Sequence, residues 1–134
     1  MGRVILLADD DIEDSELLEE ALIKHDPEAH VERVASGQEA IKYLLSHLER
    51  KLPCIVILDY KMPGLNGADV LMRIAADQRL ADIPKVVWST SSENEHIEAC
   101  RKAGAIDYFI KPTNSKLLGE MARRMVNICR RKQA

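Results

Sequence analysis

Five short apolar runs, each ending in polar or charged residues and each followed by a stretch of helical periodicity, constrain this chain more than any other feature. Residues 3–8 (RVILLA) end at three acids, 54–58 (CIVIL) end at Asp59, 85–88 (KVVW) end at Ser89, and 106–110 (IDYFI) end at Lys111. Such continuous apolar runs suit strands buried on both faces. Residues 30–35 (HVERVA) are more polar and suit a sheet edge. Between the runs, apolar residues recur at helical spacing: Leu17, Leu18, Ala21 and Leu22, stopped by Pro27; Ala40, Ile41, Leu44, Leu45 and Leu48; Val70, Leu71, Ile74 and Ala75. A weak stripe of Ile97, Cys100 and Ala103 ends at Gly104, and Leu117, Leu118, Met121, Met125 and Ile128 line a last helix. Strand and helix in strict alternation imply an α/β fold, a doubly wound (βα)5 unit whose five-stranded parallel sheet is covered on both faces by right-handed crossovers. The order 2-1-3-4-5 puts the polar strand outside and the polar strand ends side by side. The chain of 134 residues has room for one domain, taken as 1–134.

Composition excludes several classes. No run approaches the length of a membrane-spanning helix, and three acids follow the first few apolar residues too closely for a secretory signal. Cys54, Cys100 and Cys129 lack metal-ligand spacing and are expected to be reduced, packed thiols of a cytoplasmic protein. Seven of the nineteen Lys and Arg residues but one of the 22 acids lie from Lys111 onward. The rest of the chain is therefore acidic and would repel nucleic acid, so the basic end is expected to be a solvated helix face.

In doubly wound sheets ligands bind beyond the carboxyl ends of the strands, where the winding reverses. Those ends carry Asp9, Asp10 and Asp11, then Asp59, then Ser89 and Thr90, then Lys111, whereas the second strand ends in Ala35, Ser36 and Gly37. Carboxylates converging on one pocket repel one another and call for a cation. With oxygen donors alone the expected ion is Mg²⁺, which accepts one or two carboxylates together with a phosphate. A carboxylate held beside it can attack phosphorus to give an acyl phosphate, with Lys111 and the Ser89 hydroxyl on the other phosphoryl oxygens. The residues point to a phospho-accepting aspartate.

Asp9-Asp10, Asp59 within LDYKMPG, Ser89-Thr90, and Lys111-Pro112 after Tyr108 together resemble a two-component response regulator receiver domain, over residues 3 to about 130. The resemblance implies a flavodoxin-like fold and a switch in a His-Asp phosphorelay. Asp59 would accept a phosphoryl group from a sensor histidine kinase or a phosphotransfer protein. Asp10 and Asp59 would bind Mg²⁺ through their side chains and Lys61 through its backbone carbonyl, with Asp9 acting partly through water. Lys111 would pair with the phosphoryl oxygens, its bond to Pro112 being cis. Ser89 would swing toward the phosphoryl group, and Tyr108 would rotate inward. Lys61 and Ser91 occupy positions whose side chains tune dephosphorylation, Thr90 is bulkier than the residue often found there, and Trp88 is unusual beside the switch serine. Such a protein assists its own phosphorylation and dephosphorylation without being a turnover enzyme.

Each residue also has a plainer role: Asp11 as a helix cap, Asp9 and Asp10 as solvated loop acids, Ser89 as a cap, Tyr108 as sheet packing, Lys111 as an exposed strand-end lysine. The four histidines have no ligand spacing and are assigned no role. An aspartate phosphatase of the haloacid dehalogenase type would want an acid two residues after its nucleophile, where Lys61 stands. A receiver-like docking module that works without phosphorylation typically lacks one of the acids or the lysine, and all are present. The chain ends soon after the last helix, so no output domain is expected. Output would pass through the face of the fourth helix, fifth strand and fifth helix, to an unidentified protein target or into a homodimer.

Overall fold

A computed structural model describes residues 2–133, with side chains through residue 131; Met1 and Ala134, the ends of the expected domain, and the Lys132 side chain lie outside the described residues. The chain runs β1 (Val4–Ala8), α1 (Ile12–His25), β2 (His30–Val34), α2 (Gly37–Ser46), β3 (Ile55–Leu58), α3 (Gly67–Ala76), β4 (Lys85–Ser89), α4 (Asn94–Lys102), β5 (Asp107–Ile110) and α5 (Ser115–Gln133). The sheet has the expected order β2-β1-β3-β4-β5, and every pairing is parallel.

Side chains alternate across a strand, and that alternation divides the core in two. Ile5 and Leu7, Ile55 and Ile57, Val86 and Trp88, and Phe109 pack under α1 and α5 with Leu18, Leu22, Ala122 and Met125. Leu6 and Ala8, Val56 and Leu58, and Val87 face α2, α3 and α4 with Leu44, Val70, Leu71, Ile74 and Cys100. Carried one residue past β1, β3 and β5, the same alternation sends Asp9, Asp59 and Lys111 to the α1/α5 side, and at the last residue of β4 it sends Ser89 to the α4 side.

Local signals set the helix starts. Asp11 accepts the Asp14 N–H, Ser36 accepts that of Glu39, and Asn66 forms a reciprocal capping box with Asp69. Before α5, the Asn114 side chain accepts the Leu117 N–H at 2.9 Å. In α1 the buried stripe is Ser15, Leu18 and Leu22, whereas Leu17, expected on that face, is 52% exposed. The three buried positions lie on one line of the helix, and the Ser15 hydroxyl tolerates burial because it donates to the Asp11 carbonyl at 2.9 Å.

Two further expectations are corrected. Cys54 and Cys129 are joined in a disulfide, with Cα atoms 4.9 Å apart, and Cys100 alone is a free thiol among the described residues. The pair is 75 residues apart in sequence. They meet because the start of β3 and the last turns of α5 lie at the same end of the sheet, a proximity that spacing does not reveal. Burial pushes the Cys100 thiol up to about 11. The Lys111–Pro112 bond is trans, as is every other peptide bond among the described residues; trans is the form an X–Pro amide itself prefers.

A buried ion pair ties the start of β1 to the end of α1. Arg3 Nε donates to Asp26 Oδ2 at 2.7 Å, and the Asp26 side chain is 3% exposed. The Arg3 hydrogen bond is the main reason that Asp26 sits below the ordinary carboxylate range. A lowered carboxylate adds stability above that ordinary range and loses it as pH falls through the lowered value. Asp26→Ala is expected to cost about 2 kcal/mol in urea unfolding at pH 7, since it strands a guanidinium that is itself only partly exposed. The loss should shrink toward zero at strongly acidic pH, where the wild-type carboxyl is also protonated. A pH-independent deficit would mean that packing, not the ion pair, is what the substitution removes.

Candidate functional site

The carboxyl ends of β1, β3 and β5 bring Asp9, Asp59 and Lys111 together. Asp9 continues β1 by donating its N–H to the Val34 carbonyl at 3.0 Å, and Asp59 continues β3 by donating to Ala8 at 2.9 Å. Both carboxylates are thereby held by sheet-like backbone bonds, and both residues are buried. Asp9 Oδ1 accepts the Asp11 N–H at 3.0 Å, and Asp59 Oδ1 accepts the Lys61 N–H at 3.3 Å. Behind Asp59, Gly67 opens α3 so close to the strand end that a Cβ would stand 2.9 Å from the Asp59 carbonyl oxygen. Gly64 turns the intervening loop with φ +78, a conformation suited to glycine.

Lys111 enters from β5, whose pairing is extended by its N–H on the Ser89 carbonyl at 2.9 Å. Its ammonium donates to Asp9 Oδ2 at 2.7 Å, Asp14 Oδ2 at 2.8 Å and Asp59 Oδ2 at 3.0 Å. The ammonium also lies over the Trp88 ring, 4.8 Å from its centroid. Three acceptors saturate the three N–H donors of the lysine. Burial pushes Asp9 up to about 6, against the opposing pull of Lys111 and the Asp11 N–H. Lys111 moves the other way from its own burial: the hydrogen bonds to Asp14 and Asp9 outweigh desolvation and raise it above the ordinary lysine value. One ammonium cannot neutralise three carboxylates, so it stays charged while the most enclosed of the acids is held toward its neutral form.

Asp9, Asp10 and Asp59 each offer an oxygen, and the three oxygens lie within 4.8 Å of one another. Asp10 is exposed, which leaves this oxygen set open to solvent on one side. Excess negative charge, an all-oxygen donor set and an open side together fit a hard divalent cation.

The hydroxyl half of the pocket lies across the sheet. Ser89 is fully buried, and its Oγ accepts the Ser91 N–H at 3.2 Å. The Tyr108 hydroxyl donates to the Ser91 carbonyl at 2.8 Å, so both residues grip the loop between β4 and α4. That loop is also fastened to α4, because Ser91 Oγ lies 2.6 Å from His96 Nδ1. The His96 ring stacks on Tyr60, the residue after Asp59, with centroids 4.0 Å apart.

Residues 5–123 match the family model of the response regulator receiver domain. The chain belongs to that family. Two-component response regulator ORR12 of rice (Oryza sativa subsp. japonica) is 32% identical over 108 residues, which are 81% of this chain and 85% of the relative. Among solved structures, the phosphorylated cyanobacterial phytochrome response regulator RcpA superposes with a TM-score of 0.84 at 29% identity, covering 92% of this chain and 91% of its own. The Mn²⁺-bound form of response regulator Rcp1 gives 0.80 at 28% identity, over 91% and 90% of the two chains.

Of the expected site residues, Asp9, Asp59 and Lys111 are in direct contact, and Asp10 completes the oxygen cluster. Lys61 touches the cluster through its backbone N–H, while its side chain is exposed. Ser89 and Tyr108 converge on the neighbouring loop and not on Asp59 itself. Two participants carried no expected role. Asp14 lies in the first turn of α1, four residues after Asp10, and that nearness in sequence was the available signal. His96 offered none, since its contacts to Ser91 and Tyr60 depend on how α4 packs. No helix among the described residues is long and apolar enough to cross a membrane.

Proposed function

We propose that this chain, taken as one receiver domain over 1–134, is the phospho-accepting switch of a His-Asp phosphorelay and that Asp59 is the acceptor. The observation that carries the proposal is the placement of Asp59: buried at the end of the central strand, 3.0 Å from a lysine ammonium and inside a cluster of oxygen donors. An Asp59 carboxylate oxygen attacks the phosphorus of a phosphohistidine on a histidine kinase or phosphotransfer protein. The new P–O bond forms as the P–N bond breaks, and the electron pair stays with the imidazole nitrogen, which takes up a proton. Asp10, Asp59 and the Lys61 carbonyl, with Asp9 partly through water, would hold Mg²⁺, which when bound would supply charge neutralisation at the phosphoryl oxygens.

Lys111 then donates to a phosphoryl oxygen in place of the acceptor carboxylate. Ser89 turns its hydroxyl from the Ser91 N–H toward another phosphoryl oxygen. Releasing Ser91 loosens the Tyr108 and His96 contacts together, which shifts the surface of α4 and β5. Through that surface the chain would engage a protein target or a second copy of itself. Thr90 at the mouth and Lys61 beside the acceptor would set how long the acyl phosphate survives. The chain consumes one phosphoryl group per cycle and is a phosphoacceptor, not a turnover enzyme.

The test is intact-mass spectrometry after incubation with a small acyl phosphate, in Mg²⁺ and in chelator. One phosphoryl adduct that requires Mg²⁺ is the expected result. Absence of an adduct with both the small donor and a set of kinases would leave a docking module that acts without phosphorylation.

A further inference from the structure

Lys111 contributes more donors to the acid cluster than the phosphoryl step needs, and the third of them lands on a residue outside the cation's oxygen set. Its acceptors are Asp9, Asp59 and Asp14. Asp9 and Asp59 also belong to the oxygen set that fits a divalent cation, and Asp14 does not. A cation drawn onto Asp9 and Asp59 competes with the lysine for the same oxygens and repels its ammonium. The side chain, 7% exposed with its ammonium over the Trp88 ring, cannot withdraw far into solvent. An ammonium left there without a counter-charge would oppose cation binding.

We propose that Asp14 is a positioning residue, the carboxylate that holds Lys111 at the rim of the pocket once a divalent cation has drawn Asp9 and Asp59 away from it. Asp14 is suited to this by its place in the fold. It sits in the first turn of α1, its backbone fixed by the Asp11 cap, on the helix that covers the α1/α5 side of the sheet where Lys111 emerges. Its side chain is 34% exposed, so it has the freedom to follow the lysine. The ammonium is shared among three acceptors. With two of them taken by a cation, the Asp14 contact would carry the charge of the lysine alone. Asp14 therefore favours cation binding without touching the cation, and it keeps the lysine within reach of the position an incoming phosphoryl oxygen would take.

The inference rests on the reading that Asp9, Asp10 and Asp59 hold a divalent cation, and a double-mutant cycle separates the two. The probe is Mn²⁺, its free fraction followed by electron paramagnetic resonance in titrations of the whole chain at fixed pH and salt. Wild type should bind one Mn²⁺ saturably. Asp14→Asn should raise the Kd by about five-fold, a size in keeping with one partly exposed ion pair, while Asp14→Glu should stay close to wild type. In a Lys111→Met background, Asp14→Asn should change the Kd by less than about two-fold, because nothing remains for Asp14 to hold. An equal loss in both backgrounds would mean that Asp14 acts through its own charge on the cation, which overturns the proposal. No loss with Lys111 present overturns it as well. The Asp14→Glu comparison is made with Lys111 intact, so it stands even if the double variant folds poorly. Failure of the wild type to bind Mn²⁺ would instead bring down the cation reading itself.

Discussion

Asp59→Asn is expected to abolish the phosphoryl adduct altogether under conditions in which the wild type is labelled, with the fold retained. The substitution keeps the shape of the side chain and leaves the Asp59 backbone bond to Ala8 in place. It replaces the attacking carboxylate oxygen with an amide, which is too weak a nucleophile to displace a phosphoryl group. No neighbouring acid is arranged to take over. Asp9 is buried, and its oxygens are engaged by the Asp11 N–H and the Lys111 ammonium. Asp10 and Asp14 flank the pocket outside the backbone frame that aims Asp59. Intact-mass spectrometry with a small acyl phosphate and Mg²⁺ decides the matter, with circular dichroism to show that the variant is folded. An Asp59→Asn protein labelled to the wild-type extent would locate the acceptor elsewhere.

Much of this site was legible before any coordinates because a parallel sheet converts a one-dimensional pattern into a shared edge. Four of the five runs end in a residue with chemistry, and the strand order places those four strands side by side. The two-residue alternation goes further than the order alone. Asp9 follows Ile5 and Leu7, Asp59 follows Ile55 and Ile57, and Lys111 follows Phe109, so all three fall on the α1/α5 side, where they are bonded. Ser89 follows Val87 on the opposite side, and its hydroxyl is engaged there with Ser91.

What was not legible depends on how helices sit on the sheet. Asp14 joins the site because α1 brings its first turn over the end of β5, whereas sequence alone offered only its spacing from Asp10. The contact of His96 with Ser91 requires the packing of α4, the helix with the weakest apolar stripe. The Cys54–Cys129 bridge joins two elements whose proximity follows from the order of the sheet and the run of α5, and no local pattern announces it. Leu17 was misplaced for a smaller reason: a run of adjacent leucines fits two neighbouring faces of a helix, and the buried Ser15 shows which face won.

Lys111→Met is the substitution expected to cost most in stability, and the cost should depend on pH and on divalent cations. Methionine keeps an apolar stem against Trp88 but removes the one ammonium shared by Asp9, Asp14 and Asp59. Asp9 and Asp59 are then left buried with nothing to offset their charge, at a cost of about 3 kcal/mol at pH 8. The opening at Asp10 keeps the figure near the low end of what stranding a buried charge can cost. Asp9 is already raised to about 6 with the lysine present, and its loss would raise it further. A carboxyl whose folded value lies above its unfolded one binds more protons when folded, so stability falls as pH rises through that range. The deficit of the variant should therefore be small at pH 5 and widen toward pH 8. Mg²⁺ should restore more stability to Lys111→Met than it adds to wild type, because in the variant the cation competes with no ammonium for Asp9 and Asp59. Urea unfolding at the two pH values, with and without Mg²⁺, measures all three effects. A deficit that is the same at both pH values and indifferent to Mg²⁺ would mean that Lys111 stabilises the fold by packing alone. The pocket would then not be the charge-strained site that its geometry describes.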